Sequence, residues 1–133
     1  MNPTIERVLR VSRTWAVVGC SPDPGRTSHR IARVLQGAGY RVIPVNPAAD
    51  EILGERCYPS LTDIPEQVDV VDVFRRTELA GVHVDEAVAI GAHAVWCQLG
   101  VFAGAAGERA RAAGLDVVED SCPAIELPRL LTR

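Results

Sequence analysis

Ten residues, "GCSPDPGRTS" from Gly19 to Ser28, bring together the groups that hold an anion. Gly19 has no Cβ, so a ligand can approach its backbone closely. Ser21, Thr27 and Ser28 offer hydroxyls. An apolar run precedes the stretch and a helical pattern follows it, which predicts free N–H groups and a positive dipole end at the helix start. Arg26 can make a bidentate contact to phosphate, and Arg30 adds a cation one turn on. The stretch lacks the G-x-G-x-x-G spacing of a dinucleotide fingerprint and the G-K-[ST] ending of a P-loop. The competing reading is a plain turn, with glycine for curvature, Pro22 and Pro24 for stiffness and serine for the cap. The arginines favour phosphate, because a purely structural turn has no need of cations at a positive helix end.

Four more strand ends add candidates. Asn46-Pro47 stands where NAD-binding enzymes carry an acid for the ribose hydroxyls, about 20 or more residues beyond the glycines. Asn46 is uncharged; it either bonds a ribose or adenine group or closes the strand in an Asn-Pro turn. Phe74-Arg75-Arg76 places two adjacent arginines at the mouth of a sheet. Arg75 either contacts a second phosphate or pairs with Asp72 or Glu78. Gln98 has an amide that can read a polar ligand group, and Gly100 permits close backbone approach. Trp96 reads as core. Asp120 either caps the last helix or meets an arginine, and Cys122 is either a buried inert thiol or a reactive one near a helix start. His29 is expected to face the ligand, and His83 and His93 to lie on the surface.

Alternating elements must position these ends. A short helix capped by Asn2 precedes the first strand, Thr14 to Cys20. A helix from Thr27 or Ser28 follows, with Ile31, Val34, Leu35 and Ala38 on its inner stripe and Gly37 and Gly39 at its end. The remaining strands are read at Tyr40–Asn46, Val68–Phe74, Ala94–Gly100 and Leu115–Asp120. Pro47 to Val68 is a long connection with one extended piece and one helical turn. Thr77 is expected to cap a helix with Leu79, Val82, Ala87 and Val88 inside. A helix from Ala103 to Ala113 follows, and the final one is expected to break near Pro128. This alternation predicts an α/β fold: a doubly wound, Rossmann-like sheet of about five parallel strands with helices on both faces. Ligands of such sheets bind beyond the carboxyl ends of the strands.

Composition bounds the function. The 133 residues are 47% hydrophobic and 23% charged with net charge −3, read as one domain spanning 1–133. No basic stripe points to nucleic acid, and no apolar run approaches a membrane span or a secretion signal, so a cytoplasmic location is expected. All 14 basic residues are arginine, which removes Schiff-base chemistry and a P-loop lysine. The four cysteines form no CxxC pair or Cys/His cluster, so reduced thiols are expected and no metal site. No nucleophile–base–acid set appears, so no catalytic residue is assigned.

With the strand ends in place, "WAVVGCSPDPGRTSHRIARVLQGAGYRVIPVNP", "GERCYPSLTDIPEQVDVVDVFR", "AVWCQLGV" and "AGLDVVEDSCPAIE" together resemble the family of small CoA-binding proteins. These are similar to the N-terminal CoA-binding domain of the succinyl-CoA synthetase alpha subunit. The resemblance implies that the loop with Gly19, Cys20, Ser21, Arg26, Thr27 and Ser28 wraps the CoA phosphates or pantetheine. It also places Asn46, Pro47, Phe74, Arg75, and Cys97 to Gly100, hence Gln98, on the cleft. The synthetase's phosphorylated histidine belongs to a second domain outside this chain, so ligase activity does not carry over. Small members of the family often read "DRC" where this chain has Asp120-Ser121-Cys122. The expectation is a stand-alone CoA or acyl-CoA binder without its own chemistry and with no assigned protein partner. Its alternatives are an NAD(P)-dependent oxidoreductase and a regulatory protein that senses CoA. The thiol of Cys20, in the proposed ligand loop, is expected to be able to form a mixed disulfide with CoA.

Overall fold

A computed structural model describes residues 1–131. Five parallel strands form one sheet: β1 (Thr14–Val18), β2 (Arg41–Val45), β5 (Val70–Val73), β6 (Ala94–Cys97) and β7 (Asp116–Val118). Their spatial order is β2-β1-β5-β6-β7. The three central strands are almost continuously buried, which explains their unbroken apolar sequences. Helices α1 (Pro3–Val11), α2 (Thr27–Gly37) and α5 (Pro123–Leu131) cover one face around Trp15 and Trp96. Helices α3 (Thr77–Ala89) and α4 (Gly104–Ala112) cover the other. The architecture is the expected α/β, Rossmann-like one.

The chain runs from β1 outward to β2, then crosses back to place β5 on the other side of β1. The connections after β1 and β5 therefore diverge, and a crevice opens between their carboxyl ends. Val17 of β1, Asp72 of β5 and Trp96 of β6 lie side by side in register.

Several local expectations are corrected. The inner stripe of α2 is Ser28, Ile31, Ala32 and Leu35, and Val34 is exposed. In α3 the buried residues are Ala80, Val84 and Ala87, whereas Val82 is 64% exposed. The reason is a close helix pair: a Cβ at Gly81 would stand 3.5 Å from Ala106 of α4. Small side chains make this contact, and that rotates the larger Val82 outward. Helix α5 runs unbroken through Pro128, whose exposed ring lies on a helix held by packing on α1 and α2. All five strands end earlier than the apolar runs suggest, and β2, β5 and β7 also start later. The long connection after β2 contains a two-strand hairpin, β3 (Glu51–Ile52) with β4 (Glu55–Arg56), ahead of a bridge at Tyr58 and a 3₁₀ turn at Leu61–Asp63. Thr132 and Arg133, at the end of the expected terminal segment, lie outside the described residues.

The register of α3 is open to a direct measurement. Val84→Ala should cost about 2 kcal/mol in urea unfolding, from lost burial. Val82→Ala should stay within about 0.5 kcal/mol of the parent.

Candidate functional site

The crevice is a cleft with two lobes, of about 400 and 510 Å³. Gly19, Arg26, Phe74 and Arg75 line both, so these residues form a shared floor between them. Gly19 makes that floor possible. Its φ is +80°, and a Cβ there would stand 2.6 Å from the Phe74 carbonyl oxygen. Only glycine tolerates both the left-handed backbone and the contact. The two strand ends thus meet at the switch in strand order.

The loop after β1 braces itself. Ser28 Oγ accepts from Ser21 N at 2.9 Å, Ser21 Oγ from Asp23 N at 3.1 Å, and Asp23 Oδ1 from Gly25 N at 2.9 Å. These bonds aim the loop into the start of α2 yet leave that helix without a side-chain cap. The N-cap residue is Arg26 itself, and Thr27 and Ser28 line the first lobe. Helix α3 repeats the arrangement: Arg76 is its N-cap, again without a side-chain cap, and lines the same lobe. The N-terminal ends of both helices therefore border the cleft, each with an arginine at its cap position. Neither Arg26 nor Arg75 makes an ion pair among the described residues; Arg76 reaches Glu78 at 3.8 Å. The pairing considered for Arg75 with Asp72 or Glu78 is absent. Such a concentration of unpaired cations beside helix N-termini favours a bound anion.

Behind the first lobe lies a buried polar pair. Gln98 is 7% exposed, and its Nε2 donates to Oδ1 of Asp72, which is wholly enclosed. Burial pushes the Asp72 carboxyl up to about 8, against the opposing effect of the Gln98 bond. Its Oδ2 has no hydrogen-bond partner among the described residues.

Ten of the twelve expected ligand residues line the cleft: Gly19, Ser21, Arg26, Thr27, Ser28, Asn46, Pro47, Phe74, Arg75 and Gln98. Asn46 does so while closing its own strand. Its Nδ2 donates to Cys20 O at 2.9 Å and its Oδ1 accepts from Ala48 N at 2.8 Å. Two do not line it. Cys20 points into the core, fully buried, and its thiol is pushed up to about 12 by burial first and by Cys57 and Asp72 next. Gly100 sits in a turn with φ +76°, where its N–H donates to Asp120 Oδ1 at 2.8 Å and its carbonyl accepts from Thr77 Oγ1 at 3.2 Å. Asp120 and Thr77 thereby brace this turn rather than cap helices. His29 is buried behind the first turn of α2 instead of facing the cleft.

Further residues line the first lobe: Arg76, read from the sequence at the sheet mouth, Leu99, within the stretch that the resemblance places on the cleft, Cys122, weighed as inert or reactive, and Val101, which the sequence left unassigned. Cys122 reaches the lobe because Ser121 N donates to Cys97 O at 3.2 Å and Trp96 Nε1 to Ser121 O at 2.9 Å. In the second lobe, Pro59, Ser60 and Leu61 arrive on the connection that follows the hairpin. His83 also lines it, bonded to Glu86 at 2.7 Å, rather than lying free on the surface. Only the positions next to strand ends carried a readable signal.

Comparison with known proteins places the chain. Residues 13–128 match the family model described as "CoA binding domain". The uncharacterized protein YneT of Bacillus subtilis is 41% identical over 125 residues, covering 91% of this chain and 92% of that protein. An ADP-forming acetate–CoA ligase II of Archaeoglobus fulgidus is 41% identical over 66 residues, which are 48% of this chain and 10% of the ligase. Among solved structures, a Pyrococcus horikoshii OT3 protein is 38% identical with a TM-score of 0.93, covering 98% of this chain and 92% of that one. A Thermus thermophilus protein is 38% identical with a TM-score of 0.89, covering 98% and 99%.

The buried carboxyl makes stability depend on pH. In the folded chain Asp72 holds its proton up to about pH 8, whereas unfolded it ionises near the ordinary carboxylate value of about 4. The folded state thus carries the extra proton between those values. Stability should fall as pH rises through that window and level off above it. Asp72→Asn should remove this slope and be more stable than the parent by a few kcal/mol at pH 9. Guanidinium unfolding of both proteins at pH 5 and pH 9 measures the difference.

Proposed function

The chain belongs to the CoA-binding domain family, and from that premise we propose that it is a stand-alone CoA or acyl-CoA binding protein. In this reading residues 1–133 act as one cytoplasmic binding domain without catalytic machinery of its own. The observation that carries it is the shared floor. Arg26 and Arg75, without ion pairs among the described residues, flank the uncapped start of α2 beside the close Gly19–Phe74 contact.

CoA suits this arrangement chemically. Its diphosphate lies mid-molecule, as the floor lies between two lobes, and its two ends differ in character. The floor holds the diphosphate through Arg26, Arg75 and the N–H groups of α2. One lobe takes the adenosine end and the other the pantetheine arm. No acid stands at Asn46, and the side chain of Asn46 is engaged with Cys20 and Ala48. Both facts weigh against NAD as the ligand.

Isothermal titration of the full-length, ligand-free protein tests the reading. CoA should bind more tightly than dephospho-CoA, and NADH weakly or not at all. Arg26→Ala and Arg75→Ala should each weaken CoA binding about tenfold, the loss of one charge-assisted contact. No heat with any CoA species from folded protein would overturn it. Binding of NADH alone would favour the oxidoreductase alternative.

A further inference from the structure

Resting on the reading of the cleft as a CoA site, we propose that Cys122 is a covalent docking point for the thiol end of CoA. It captures CoA from CoA disulfide as a reversible protein–CoA mixed disulfide.

All four cysteines are free thiols and all are buried, but they differ in what they face. Cys20, Cys57 and Cys97 line neither lobe. Cys20 and Cys97 are pushed up to about 12, chiefly by burial, which keeps them as unreactive thiols. The Cys57 thiol donates to Asn46 O at 3.4 Å. Cys122 lines the first lobe, and its Sγ makes no hydrogen bond among the described residues. The bonds of Ser121 to the β6 corner, and those from Ile125 N and Glu126 N to Cys122 O, each 3.0 Å, hold it in place.

A second group in the same lobe points independently to a ligand. Gln98 is more than nine-tenths buried and spends its Nε2 on Asp72. That bond orients the amide, and Oε1 has no partner among the described residues. An acceptor without a protein partner at the wall of a cleft is open to an N–H donor from a ligand. The pantetheine arm carries two amide N–H groups and ends in sulfur. Phe74, Leu99 and Val101 supply apolar wall for its methylenes. An arm running from the phosphate floor past Gln98 therefore ends at Cys122.

The step is thiol–disulfide exchange. Cys122 loses its proton, and its sulfur attacks one sulfur of CoA disulfide. A new S–S bond forms and the original one breaks. The second CoA departs with the electron pair as a thiolate and takes up a proton. The disulfide is the oxidant, and reduced CoA binds without forming the bond.

Intact mass spectrometry after incubation with CoA disulfide should show one added CoA, less two hydrogens, one from each thiol. Dithiothreitol should remove it, and peptide mapping should locate it at Cys122. Because the cleft concentrates its ligand, the adduct should form about tenfold or more faster with CoA disulfide than with glutathione disulfide. Cys122→Ser should lose the adduct, whereas Cys20→Ser should keep it. An adduct that persists in folded Cys122→Ser, or equal rates with the two disulfides, overturns the proposal. Desulfo-CoA separates the two readings. If it binds and no adduct forms with CoA disulfide, covalent capture fails and the binding site stands. If neither CoA nor desulfo-CoA binds, the site reading itself fails.

Discussion

The approach of two backbones at the switch in strand order governs the rest of this molecule. The Phe74 carbonyl comes so near Gly19 that a single carbon between them would not fit. The hydrogen bonds from Gly19 N to Val45 O and from Phe74 N to Val18 O tie the contact to the sheet on both sides. From this point the floor, the start of α2 and the arginines all take their positions. The first lobe opens toward β6 and β7, the second toward β2.

The Asp72–Gln98 pair shows what such a site demands of the core. A carboxyl in the central strand, beside Val17 and Trp96, is a liability to folding, and an apolar residue of similar size would pack there without penalty. Its effect is to set which way the Gln98 amide faces. Stability is lost in the interior while orientation is gained at the cleft wall.

The fold was legible because its signals are cumulative. Unbroken apolar strands alternating with helical stripes allow little besides a covered parallel sheet, and the strand ends follow from that. Glycine and arginine at those ends, with hydroxyls beside them, carried the candidate site. The remainder depended on information that is not local. The inner face of α3 is set by small residues meeting α4, which a search for large apolar side chains inverts. Cys20 and Cys122 both follow strands, but only the structure shows that one turns inward and the other toward the cleft. His83 joins the second lobe through the packing of α3, a placement that spacing along the chain does not encode.

The connection that walls the second lobe also alters the sheet's outer margin. Strand β2 is an edge, and a bare edge is a template for pairing with a strand of another chain. Tyr58 N donates to Pro44 O at 3.1 Å, and Asn46 N donates to Tyr58 O at 2.9 Å, so the carboxyl half of that edge is already occupied. Pro44 has no N–H to offer outward, and its absence costs the sheet no bond. At the opposite edge β7 is only three residues long, and Asp116 there is engaged by Arg7 at 2.6 Å. The protein thus leaves only short stretches of free edge for strand exchange, and along part of one margin a wall of the cleft serves as the guard.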